Sequence, residues 1–228
     1  MTRTSMGEPA MRLRDALRTP AASTRLQAAL TAGSTPTPEY VEVLVERCAI
    51  EPDFFVRDML TWALIRHDSS AVIERLLPEL DSEVPQARAQ ALHTLSKIGD
   101  PDIWTAVTPA LLQDDDEEVA RAAWRTSAGL VPGGRDAEGL AETLSTQFDR
   151  GGRDLQLSLS RAFVALGDGA VAVVERAKSA PDAGVRTHAA ATERLMQDPY
   201  LGFDAAIAEA RRIVALREAP VVEPVMEP

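Results

Sequence analysis

A short pattern returns along this chain about every 32 residues, and nothing else in the sequence restricts the fold as strongly. The segment opening Val56-Arg57-Asp58 is matched from Ala87, Val119 and Val185, with weaker copies from Thr24 and Leu155. The steps between successive starts are 32, 31, 32, 36 and 30 residues. Four positions into the copies stand Ala28, Leu60, Ala91, Ala123, Leu159 and Ala189. Eleven positions in stand Thr35, His67, Ile98, Leu130, Leu166 and Met196. Offsets of 0, 4 and 11 fall on one face of an α-helix, so most copies offer an apolar stripe, with Thr35 and His67 as the polar exceptions at offset 11.

A second helix fits into each period: Glu39 to Cys48, Ala71 to Leu80, Pro101 to Leu112, Ala137 to Phe148 and Ala170 to Ala177. Glycine, proline and aspartate punctuate the joins, as at Gly99-Asp100-Pro101, Pro132-Gly133-Gly134 and Gly167-Asp168-Gly169. No stretch sustains the alternation of a strand. A two-helix unit cannot bury its own apolar face and must stack on copies of itself, which is the signature of an α-solenoid. The low aromatic content, 4%, suits thin layers filled by Ala, Leu and Val.

The runs Gln86 to Asp100 (QARAQALHTLSKIGD) with Pro101, and Glu118 to Ala128 (EVARAAWRTSA), resemble HEAT repeats. That family's pattern is an acidic turn, a Val-Arg pair opening the inner helix, an Ala/Leu stripe, then Gly-Asp-Pro into the next outer helix. The resemblance runs from about Leu13 to Leu216, is best between Asp53 and Leu130, and is weakest from Gly151 to Gly169. It implies an all-α, right-handed α-α superhelix of about six helical pairs over residues 11–217. Residues 1–10 and the Pro/Glu-containing residues 218–228 are expected to be disordered tails. The family is associated with scaffolding and protein binding, and fixes no activity.

Charge and composition narrow the partners. Asp plus Glu number 35 against 24 Lys plus Arg, a net charge of -11, which argues against a generic grip on nucleic acid. The single cysteine, Cys48, rules out an internal disulfide framework. No apolar run has the length of a bilayer span, and Met1 to Ala10 lacks the core of a secretory leader, so a cytoplasmic protein without membrane partners is expected. Arginine far exceeding lysine in an alanine-rich chain suggests a bacterial source.

Candidate partner-binding residues follow from the repeat: Arg25, Arg57, Asp58, Trp62, Arg88, Trp124 and Arg186. The arginines recur at one position, interrupted by Ala120 and Gln156. They fit an internal ladder onto acidic turns and carbonyls, or a partly exposed track for an acidic peptide or phosphate. Trp62 and Trp124 fit either packing at the helix seam or anchoring a partner. Asp114 to Glu118 (DDDEE) reads as a capped turn, with Asp116 as the cap, or as an acidic docking surface; its spacing does not match a calcium loop. Arg12, Arg14, Arg18 and Arg25 make the N-terminal stretch locally basic.

Catalytic patterns are absent from the sequence: His67, His93 and His188 stand apart, and no phosphate loop, nucleophile elbow or dinucleotide fingerprint occurs. No cofactor or metal is expected. The reading is a non-catalytic scaffold or adaptor that binds another protein or peptide through the inner-helix groove. The alternative is a nucleic-acid-binding accessory protein that uses the basic N-terminal helix and the inner-face arginines.

Overall fold

The computed structural model describes residues 7–218; most of the expected tails, 1–6 and 219–228, lies outside them. The described residues are all-α, with no strand. The chain divides between Val131 and Pro132 into two compact units.

The first unit holds α1 (Glu8–Leu17), α2 (Ala22–Ser34), α3 (Tyr40–Cys48), α4 (Phe54–Leu64), α5 (Ser69–Leu76), α6 (Pro85–Ile98), α7 (Pro109–Leu112) and α8 (Glu117–Leu130). Helices α1, α3 and α5 pack in sequence as an outer layer, and α2, α4, α6 and α8 as an inner one. The second unit holds α9 (Arg135–Ser145), α10 (Arg153–Leu166), α11 (Asp168–Ala177), α12 (Ala183–Gln197) and α13 (Phe203–Glu218). In it α9 packs on α11, α10 on α12, and α12 on α13. The stacked, solenoid-like arrangement asked for by the repeat is present in both units.

Most of the apolar stripe is where the offsets put it. Val56, Leu60, Ala87, Ala91, Val119, Ala123, Leu155, Leu159 and Ala189 are buried. Asp53, Asp116 and Asp182 each stand three residues before a repeat start and cap their helices by accepting from the backbone N–H of Val56, Val119 and Val185. Gly99 closes α6 with φ 76°, a left-handed conformation that other residues resist.

Four expectations need correction. Pro101 to Leu112 is not one helix: Pro101–Ala106 is a 3-10 turn, and Pro109 holds Thr108 extended before the single turn of α7. Pro78 likewise ends α5, with a 3-10 turn at Leu77–Asp81. In the first copy the buried seam is Ala29, Ala32 and Gly33, not Thr24 and Ala28. There the Trp62 ring lies against Gly33 so closely that a Cβ would overlap it, which shifts the contact around the helix. Residues 8–10, assigned to the tail, form the first turn of α1, with Ala10 fully buried.

Glu51 ties the first layers together. Its carboxylate, wholly buried, accepts from Arg25 Nε at 2.8 Å and Nη2 at 2.7 Å, from Arg47 Nε at 2.7 Å and from the Asp53 N–H at 3.0 Å. Its carbonyl oxygen accepts from Arg57 Nη1 and from Gln86 Nε2, both at 2.9 Å. Burial opposes ionisation of Glu51, but the Arg25, Asp53 and Arg47 hydrogen bonds outweigh it and hold the carboxyl below the usual carboxylate range. Removing one partner of such a buried group strands the others. Glu51→Ala should therefore cost about 3 kcal/mol of first-unit stability, measured by urea unfolding at neutral pH. A loss no larger than that of a surface Glu46→Ala control would show the cluster to be dispensable.

Candidate functional site

The repeat-position arginines are anchored inward. Arg25, 6% exposed, donates from Nη1 to Thr19 O and Pro20 O, while Nε and Nη2 hold Glu51. Arg57 makes the same turn contacts with Glu51 O and Pro52 O, and Arg186 with Ala180 O and Pro181 O at 2.7 and 2.6 Å. Arg88 reaches Ser82 O at 2.7 Å and grips the Asp114 carboxylate with Nε at 2.9 Å and Nη2 at 3.0 Å. In each case the guanidinium clamps the turn five or six residues upstream. Where the next copy supplies an acid 26 residues on, as at Glu51 and Asp114, it also joins two repeats. Gln156 imitates the turn contact with a 3.4 Å bond to Gly151 O.

The two tryptophans separate. Trp124 is 1% exposed and its indole donates to Leu112 O at 2.7 Å, so it belongs to the core and offers nothing to a partner. Trp62 is half-buried against Gly33, with the Arg66 guanidinium 6.0 Å above its ring. In the DDDEE run Asp114 holds Arg88 and Asp116 caps α8, while Asp115, Glu117 and Glu118 stay exposed. Of the N-terminal arginines, Arg12 pairs with Glu8 and Arg14 with Glu46 at 2.6 Å, while Arg18 is exposed.

Arg57 and Asp58 come together with side chains the repeat analysis passed over. A cleft of about 290 Å³ runs across α4, α6 and α8, lined by Phe54, Arg57, Asp58, Gln90, His93, Glu118, Arg121 and Arg125. Arg125 Nη2 donates to His93 Nδ1 at 3.0 Å. Burial lowers the pKa of His93, and Arg125 and Lys97 lower it further against a smaller opposing pull from Asp58. The Arg57 guanidinium sits 5.9 Å from the Phe54 ring centroid. Phe54 and Phe55, 66% and 72% exposed, meet edge to face at 5.6 Å. The missed residues had a signal: Arg121 stands two positions after its repeat start, as Asp58 does, and His93 and Arg125 stand six after theirs, as Trp62 does. These offsets lie on the face opposite the buried stripe.

Ser160 and His188 in the second unit are close enough to suggest a nucleophile and base, at 3.1 Å. The hydrogen bonds argue otherwise. His188 Nδ1 accepts from the Asp149 N–H at 3.0 Å, and Nε2 faces Gln156 O at 3.0 Å. A carbonyl only accepts, so Nε2 carries the proton and cannot take one from Ser160. Both residues are buried, with Ser160 bonded to Thr192 at 2.7 Å and the imidazole ring set edge-on to Phe148 and Phe203. This is an interhelical clasp between α10 and α12. Cys48 is equally inert, since burial, with Glu51 adding to it, pushes its thiol up to about 12. Among the described residues no group of three or more His, Cys, Asp or Glu is placed to hold a metal ion. No helix among them is long and apolar enough to cross a membrane.

Burial pushes His188 down to about 4, with Arg153 adding to the effect and the Gln156 carbonyl opposing it. The unfolded chain takes up this proton near pH 6.5 and the folded unit only near pH 4. Stability conferred by the neutral ring is therefore complete above about pH 6.5 and is lost as pH falls towards 4, by roughly 3 kcal/mol in all. An NMR titration placing His188 near pH 6.5 in the folded protein would contradict this.

No protein-family model matches the chain, and no curated protein matches it significantly. Among solved structures, the crystal structure of an engineered protein aligns over 90% of this chain and 98% of its own, with 18% sequence identity and a TM-score of 0.46.

Proposed function

We propose that this chain is a non-catalytic scaffold or regulatory adaptor that binds a segment of another protein along the inner-helix face of its first unit. The repeat is read here as HEAT-type, with the right-handed stacking of about six pairs that this implies. The observation that carries the reading is the open cleft over α4, α6 and α8. It joins an exposed aromatic edge, Phe54 and Phe55, to guanidinium groups of Arg121 and Arg125 that take no part in the repeat clamps. Aromatic and arginine side chains are the residue types that concentrate energy at protein interfaces. The clamps favour the same use, because they fix the helices and leave the remaining face rigid and preorganised.

A photo-crosslinking amino acid at Gln90, inside the cleft, tests this against one at Glu74, exposed on α5. Expressed in its native cells, the Gln90 probe should give a discrete protein adduct that the Glu74 probe does not. Equal adducts from both sites, nucleic-acid adducts alone, or none at Gln90 would contradict the proposal.

A further inference from the structure

We infer that the α4–α6–α8 cleft selects an acidic–aromatic peptide segment, one side-chain carboxylate seating between Arg121 and Arg125 and a neighbouring apolar side chain lying on Phe54 and Phe55. The inference rests on the protein-binding reading of this face and adds the chemistry of what is bound. Arg121 carries the first argument. Its Nε is buried without a hydrogen-bond partner, and the Glu118 carboxylate stands 3.8 Å away, beyond hydrogen-bond reach. A donor left unmade is costly, and the side chain is still 30% exposed, so a small rotation would offer it to an incoming carboxylate.

Arg125 follows one turn later on α8, and it donates to the neutral ring of His93 rather than to an acid. Burial lowers the Arg125 pKa, Glu118 opposes that, and Arg121 adds to it, so the two guanidiniums repel each other across the site. A carboxylate between them would remove that repulsion.

Charge fixes the class of anion. Three guanidiniums, Arg57, Arg121 and Arg125, line the cleft against two carboxylates, Asp58 and Glu118, leaving one positive charge in excess. That matches one carboxylate better than a phosphate dianion. A polyanion would also meet Asp58, Glu118 and a chain of net charge -11. The aromatic half of the epitope is set by Phe54 and Phe55, which the fold leaves exposed at the start of α4 with Arg57 beside the Phe54 ring.

The probe is a phage-displayed library of random dodecapeptides, panned against the full chain. Selected peptides should place Asp or Glu within a few residues of an aromatic or leucine. Their affinity should fall about tenfold or more on the Arg121→Gln/Arg125→Gln protein. Changing the peptide's acid to its amide should cost a similar factor on the native chain and little on that variant. The bound peptide should also raise the pKa of His93, read by NMR among only three histidines. Unchanged helical circular dichroism and melting temperature would show that the variant folds. Neutral peptides that bind and are lost on Phe54→Ala/Phe55→Ala, yet are indifferent to the arginine changes, would overturn the inference and leave the protein-binding reading intact. Failure to select any cleft-directed peptide, or binding of short DNA or a phosphopeptide in its place, would overturn both.

Discussion

The first unit depends on one buried carboxylate. Glu51 receives Arg25 from α2 and Arg47 from α3 on its side chain, while its carbonyl receives Arg57 from α4 and Gln86 just inside α6. Four helices thus meet at a single turn, and none of these contacts depends on hydrophobic area. Thin layers of Ala, Leu and Val can slide over one another at little cost, because small apolar side chains specify distance better than register. Directed bonds from planar guanidiniums supply the register. Arg88 repeats the device on Asp114, at the same 26-residue separation, and Asp116 N–H returns to that carboxylate as Asp53 N–H does to Glu51.

That device divides the arginines into two kinds. Arg25, Arg57, Arg88 and Arg186 clamp turns, and their positions at the mouth of the inner helices belong to the scaffold. Arg121 and Arg125 sit two and six positions after a repeat start, where the helix turns away from its neighbours. A binding face on a stacked-helix protein comes more readily from this second set, since the first is held by its own turns, although Arg57 lines the cleft as well. The clasp of Ser160, His188 and Thr192 does for α10 and α12 what arginine does elsewhere, which fits the loss of arginine at Gln156.

Much of the stacking was legible in the sequence. The stripe at Val56, Leu60, Ala87, Ala91, Val119 and Ala123 is buried as its period requires, and Asp116 caps as its place before Val119 suggests. What the period could not show was local. Pro109 and Pro78 broke helices that the apolar spacing would have continued, and Gly33 let Trp62 approach closely enough to move the first seam. The site was harder, because a repeated arginine looks the same in sequence whether it clamps or binds. The difference lies in the acid at Glu51 or Asp114, one repeat away, and in carbonyls that have no residue identity at all. Trp124 was ambiguous for a similar reason: offset five turns its ring into the core, towards Leu112 O, whereas Trp62 at offset six stays at the edge.

The division between scaffold and surface arginines is open to one direct measurement, amide hydrogen exchange of Arg88→Gln and Arg125→Gln compared with the native chain. Loss of the clamp should speed exchange in the turns it joins, residues 82–88 and 114–119, while loss of Arg125 should leave both as slow as before. Equal protection in the two variants, or faster exchange only in Arg125→Gln, would contradict the claim that the repeat arginines hold the layers in register.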